Sequence, residues 1–100
     1  MGEEADVNAQ SNLRSRPYLL RNRGITWREL DGEIVALDLQ SSTYLKVKGA
    51  GAVVWPLLAA GTNLEAMVEA VLEVYNVEPD IARSELEAFL DKLSERKLLR

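Results

Sequence analysis

The stretch from Ile34 to Leu58 changes its hydrophobic period partway along, and that switch constrains the fold more than any other feature of the chain. Val35, Leu37 and Leu39 recur every second residue, and Tyr44, Leu45 and Val47 follow after the polar run Gln40-Ser41-Ser42, which is the period of a hairpin. Past Gly49 and Gly51 the residues from Ala52 to Ala60 form a solid apolar block. That block is too short to span a bilayer, so it reads as a buried helix.

Upstream the chain runs ITWREL, then Asp31-Gly32, then EIVALDL. A two-residue Asp-Gly between alternating runs is the strongest short-range hairpin signal. The sequence therefore predicts a three-stranded antiparallel meander: Ile25 to Leu30, Glu33 to Leu39, and Thr43 to Val47 as an edge strand. Helix one is expected from about Ala50 to Ala60, stopping at Gly61, with Pro56 either kinking it near Ala52 or delaying its start. Helix two follows Thr62 or Asn63 as N-cap and carries the stripe Leu64, Met67, Val68, Val71, Leu72 and Tyr75. After a loop from Asn76 to Asp80, helix three runs from Pro79 or Asp80 to Arg96. Its stripe is Ala82, Leu86, Phe89, Leu90 and Leu93, backed by Leu98 and Leu99. The fold class is α+β, a three-stranded antiparallel sheet followed by three helices, with helices two and three paired as in a winged helix-turn-helix.

One hundred residues make one domain with little room for an enclosed substrate cavity. The chain has no cysteine and no histidine, which removes disulfides, thiol nucleophiles, imidazole bases and the usual zinc or iron ligands together. No catalytic residue, metal ligand or cofactor is assigned, and the expectation is a protein that is not an enzyme. Glu65, Glu69 and Glu73 sit four apart and read as a solvated helix face rather than acid-base machinery. The N-terminus lacks the regions of a secretion signal and no apolar stretch reaches membrane length, so a cytoplasmic location without membrane contact is expected. Residues 1 to 24 read as a flexible N-terminal tail, polar and non-periodic over the first fifteen, with Tyr18-Leu19-Leu20 as an apolar island able to dock. The domain proper is placed at residues 25–100. Net charge is −4, and Arg14, Arg16, Arg21 and Arg23 make the tail the basic part, so an acidic body repels phosphate backbones.

Trp55, central in its apolar block, reads as core, whereas Trp27 between Thr26 and Arg28 reads as half exposed. Lys46 and Lys48 suit the protection of an edge strand.

Leu37-Asp38-Leu39, Tyr44, Gly51, Trp55, Leu57-Leu58, Gly61, the run Val68 to Tyr75 with Val77, Phe89-Leu90 and Leu98-Leu99 share a joint spacing that resembles the PqqD family, whose members are also called RiPP recognition elements. The resemblance covers Ile25 to Leu99. It implies a winged-helix-like domain that binds the leader part of a ribosomally made precursor peptide. That domain presents the peptide to a modifying enzyme such as a radical enzyme, a leader protease or a cyclase. It implies a leader lying as an added strand along strand three and facing helix three. Carried over position by position, the peptide-binding residues are Thr43, Tyr44, Leu45, Lys46 and Val47 on the strand, with Glu85, Phe89, Lys92 and Arg96 on the helix. The chain departs from the family pattern with Ser41-Ser42 in place of Thr-Gly, Lys48 in place of an Asn ahead of helix one, and Lys97 in place of a common Gly. The alternative is a winged-helix module for nucleic acid, motivated by the helix pair and the tail arginines. Helix three argues against it, because beside Arg83, Lys92 and Arg96 it offers mainly Glu and Asp.

Overall fold

The computed structural model describes residues 17–21 and 23–100. Three strands, β1 (Ile25–Leu30), β2 (Glu33–Asp38) and β3 (Thr43–Val47), form one antiparallel sheet in the order β1-β2-β3. Three helices follow: α1 (Ala50–Ala60), α2 (Leu64–Val74) and α3 (Pro79–Glu95). This is the α+β architecture that the sequence predicts.

The β1–β2 connection takes positive φ at both central residues, Asp31 at 54° and Gly32 at 78°, the signature of a type I′ turn whose twist matches the strands it joins. The β2–β3 connection places Ser42 at φ 57°, and after α3 Lys97 sits at φ 61°. These are two of the positions where the chain departs from the pattern of the family it resembles. Both still take the left-handed conformation that glycine adopts freely and that costs other residues roughly 1–2 kcal/mol. Lys48 is the third departure, but it precedes the N-cap: Gly49 takes that position, and α1 has no side-chain cap. The Gly49 carbonyl instead accepts from the N–H groups of Ala52 (3.1 Å) and Val53 (3.2 Å), and the helix begins at Ala50 without delay. Pro56 lies inside the unbroken span with its ring at the exposed face. Asn63 caps α2 by accepting the Ala66 N–H at 2.8 Å.

The helices cover one face of the sheet. On β2 that face presents Ile34, Ala36 and Asp38, all buried, and across the strand pairs Leu45 and Val47 lie beside Ala36 and Ile34. The alternating stripe Val35, Leu37 and Leu39 therefore marks the strand but lies on its outward side, where Leu39 is 56% exposed. The core is completed by Val54, Trp55 and Leu58 of α1, Met67 and Val71 of α2, Ala82, Leu86 and Leu93 of α3, and Leu98. No helix among the described residues is long and apolar enough to cross a membrane.

The packed body starts earlier than the residue 25 expected from sequence. Leu20 is buried in the core, Tyr18 exchanges backbone hydrogen bonds with Thr62, and Leu20 bridges to Leu99. The Leu20 N–H donates to Leu58 O (3.0 Å) and the Arg21 N–H to Leu98 O (2.7 Å). Backbone pairing explains the docking: a short apolar segment with Leu20 as anchor satisfies carbonyls at the end of α1 and in the C-terminal segment together. The part of the expected tail before residue 17 lies outside the described residues.

Arg21 completes this arrangement. Its Nη2 donates to Asp38 Oδ1 at 2.5 Å, its Nη1 to Lys97 O at 2.8 Å and its Nε to Arg23 O at 2.9 Å. Asp38 also accepts from the Gln40 N–H (3.0 Å) and the Ser41 hydroxyl (3.0 Å). Burial pushes the Asp38 carboxyl up, but the hydrogen bonds from Ser41, Arg21 and Gln40 and the Arg21 charge outweigh it and hold the carboxyl below its ordinary 3.8.

Two outcomes are expected. A folded-state value below the unfolded one gives stability that is complete above about pH 4 and is lost as pH falls through the folded value. The urea midpoint should drop steeply below pH 4, and Asp38→Asn should lower the midpoint at pH 7 while flattening its acid dependence; an unchanged acid slope in the variant would contradict this. Lys97→Gly should raise stability by about 0.5–1 kcal/mol in thermal or urea unfolding, by relieving the left-handed backbone.

Candidate peptide-binding groove

In the β1–β2 hairpin the type I′ turn hydrogen-bonds Leu30 to Glu33, so odd-numbered residues of β2 direct their N–H and C=O groups toward β1. The observed Leu39 N–H donation to Gly24 O at 2.6 Å keeps that parity. Even-numbered Ile34, Ala36 and Asp38 then bond across to Val47, Leu45 and Thr43. On β3 this leaves the backbone groups of Tyr44 and Lys46 pointing away from the sheet. No strand pairs with that edge among the described residues.

Beside the edge, β3 and the C-terminal half of α3 enclose a groove of about 250 Å³ lined by Leu45, Val47, Phe89, Lys92, Leu93 and Arg96, with Lys46 and Lys48 at its rim. A second hollow of about 200 Å³ meets it at Leu45 and Arg96 and is lined further by Asp38, Ser41, Thr43 and Leu98. Together they run the length of β3. Strand alternation turns Thr43, Leu45 and Val47 toward the helices, and the helical spacing of Phe89, Lys92, Leu93 and Arg96 places those four side chains on one face of α3.

Seven of the sequence-predicted residues, Thr43, Leu45, Lys46, Val47, Phe89, Lys92 and Arg96, are therefore brought together. Two side chains are not. Tyr44, 72% exposed, stands on the outward sheet face, where it shares a hollow of about 380 Å³ with Leu30, Val35 and Leu37, so only its backbone serves the β3 edge. Glu85 is exposed one helical turn before Phe89 and lines neither hollow. Sequence reasoning missed Leu93, Leu98, Asp38 and Ser41 as lining residues. Leu93 was visible as the i+4 partner of Phe89, whereas Leu98 reaches the groove only through the turn that follows α3.

Charge is distributed unevenly around the groove. Lys46 and Lys48 are shared by one carboxylate, their Nζ atoms 3.4 and 3.6 Å from the two oxygens of Glu33. Arg83 bonds Glu65 across α2 and α3 at 2.8 Å, and that guanidinium holds the Glu65 carboxyl below the usual carboxylate range. Lys92 and Arg96 enter no ion pair among the described residues. The site thus combines unpaired backbone groups, an apolar floor and two available cations. An extended chain with apolar and acidic side chains is the ligand that can use all three.

Solved structures of similar fold were compared with the chain. TbiB1 in complex with the TbiA(beta) leader peptide is 29% identical, with a TM-score of 0.74, over 82% of this chain and 94% of that one. Lasso peptide synthetase B1 complexed with the leader peptide is 23% identical, with a TM-score of 0.71, over 83% of this chain and 96% of that one, a likeness of fold. Comparison with curated proteins finds no match by sequence. The family described as coenzyme PQQ synthesis protein D (PqqD) matches residues 33–99, from the start of β2 through all three helices, and the chain belongs to that family.

Proposed function

We propose that the protein binds the leader segment of a ribosomally synthesised precursor peptide by strand addition along Thr43–Val47 and presents it to a peptide-modifying enzyme. The observation that carries this reading is the β3 edge, unpaired among the described residues, beside the groove against α3. Backbone donors and acceptors of Tyr44 and Lys46 supply register-independent affinity. Apolar leader side chains on alternate positions enter between Leu45, Phe89 and Leu93, and acidic ones meet Lys92 and Arg96. Support comes from membership of the PqqD family and from the two similar structures, both complexes with leader peptides. The partner is a peptide-modifying enzyme such as a radical enzyme, a leader protease or a cyclase.

The nucleic-acid reading has no observation in its favour. A recognition helix needs donors aimed at base edges, yet α3 exposes Glu85, Glu87, Asp91 and Glu95, and its Arg83 is already committed to Glu65.

Titration with candidate leader peptides followed by backbone amide shifts should move Thr43 to Val47 and Phe89 to Arg96. Shifts confined to α2 and β1 would overturn the reading. Lys46→Pro removes an N–H that faces solvent, so it should leave the fold intact and weaken leader binding by more than tenfold. Leu45→Pro removes a bond to β2 and should instead destabilise the sheet. Lys92→Glu or Arg96→Glu should weaken binding of an acidic leader severalfold at low salt and much less at 0.5 M salt; a loss that salt does not diminish would show that these side chains act through packing.

A further inference from the structure

The floor of the groove is shaped by a residue that never touches its interior. Gly51 is buried in the first turn of α1, where the end of β3 and the middle of α3 converge on it. A Cβ at this position would lie 2.7 Å from Val47 Cγ1, 2.9 Å from Phe89 Cε1 and 3.0 Å from Phe89 Cζ. Ordinary carbon contacts are about 3.5–4.0 Å, so one methyl group requires a displacement of roughly 1 Å. Which group moves follows from the surroundings. Helix α1 is fixed by Val54, Trp55 and Leu58, each fully buried, and Val47, stiff at χ1, borders the groove. Phe89 is half-buried, and its free side is the groove. The Val47 methyl is the nearer contact and the ring the more mobile one; both line the groove, so relief of either takes space from the site itself.

We propose that Gly51 is a positioning residue that sets the depth of the groove: by carrying no side chain it lets the Phe89 ring sink against α1, and so fixes the size of the apolar side chain a bound peptide inserts above that ring. The inference rests on the peptide-binding reading and deepens it. Gly51 contributes shape and Phe89 makes the contact. An added methyl at residue 51 raises the floor by about one methylene, and a shorter side chain at residue 89 lowers it.

A random dodecamer display library supplies the probe, selected in parallel on the wild-type chain, Gly51→Ala, Phe89→Leu and the double variant Gly51→Ala/Phe89→Leu. Peptides selected on the wild type are synthesised with Ala, Val, Leu or Phe at the position whose truncation costs most affinity. Gly51→Ala should weaken the peptides with the larger anchor about tenfold while leaving those with the smaller anchor unchanged. The double variant should restore the wild-type preference, and Phe89→Leu alone should shift selection toward the larger anchor. A purely structural role would lower affinity for all anchors alike and would not be rescued at residue 89. Equal losses across the anchor series, or a preference unmoved by Phe89→Leu, overturn the proposal; the second comparison stands even if Gly51→Ala does not fold. Failure to select any peptide that shifts the Thr43 to Val47 amides is a different result, and it overturns the peptide-binding reading together with this inference.

Discussion

The carboxylate of Asp38 is the one charged side chain that the described core takes in, and the parts of the molecule around the groove are tied to it. A buried charge persists only when its lone pairs are met, and here the partners come from two separate segments. Arg21 reaches it from the N-terminal segment while holding the Lys97 carbonyl, and Gln40 and Ser41 reach it from the β2–β3 connection. The same Asp38 and Ser41 line the hollow at the start of β3, beside Leu98. Through Arg21 the C-terminal turn is thus tied to the strand connection whose residues line that hollow.

Element order was legible because period and turn chemistry agreed: the Asp31-Gly32 turn, the shift from alternation to an apolar block, and the stripes of α2 and α3 each point to one structure. The face of β2 was not legible. Ile34 and Ala36 are as apolar as Val35 and Leu37, so alternation identifies a strand without saying which side meets the helices. Packing decides it, since the helices cover the face where small Ala36 leaves room and where Arg21 can reach Asp38. The Tyr18-Leu19-Leu20 island was visible as a segment able to dock, but its place was not, since the Leu20 partners Leu58 and Leu99 are remote in sequence and act through backbone atoms that no residue pattern reports.

The site divides along the same line. Phe89, Lys92, Arg96, Thr43, Leu45 and Val47 were named from the resemblance to the PqqD family, and helical and strand spacing account for their lining one groove. Tyr44 belongs to the site through its backbone and not its ring, a distinction that comes from the hydrogen-bond parity set at the β1–β2 turn rather than from residue type. Ser42 and Lys97 teach a related lesson. Both take a positive φ without being glycine, so the surrounding fold imposes a left-handed conformation and the residue there carries the strain.

One hydrogen bond, from the Arg100 N–H to the Leu19 carbonyl at 2.8 Å, sets the two ends of the described body side by side. The backbone circuit is thereby nearly closed. A linker of a few residues could join these ends with little loop-closure entropy, and the chain could be reopened at the exposed Asn76 to Glu78 connection as a circular permutant. The consequence is modularity: polypeptide attached at either end leaves from one spot, so the body can be carried within a larger protein like a bead held at a single point, without its core being pulled apart by what lies on either side.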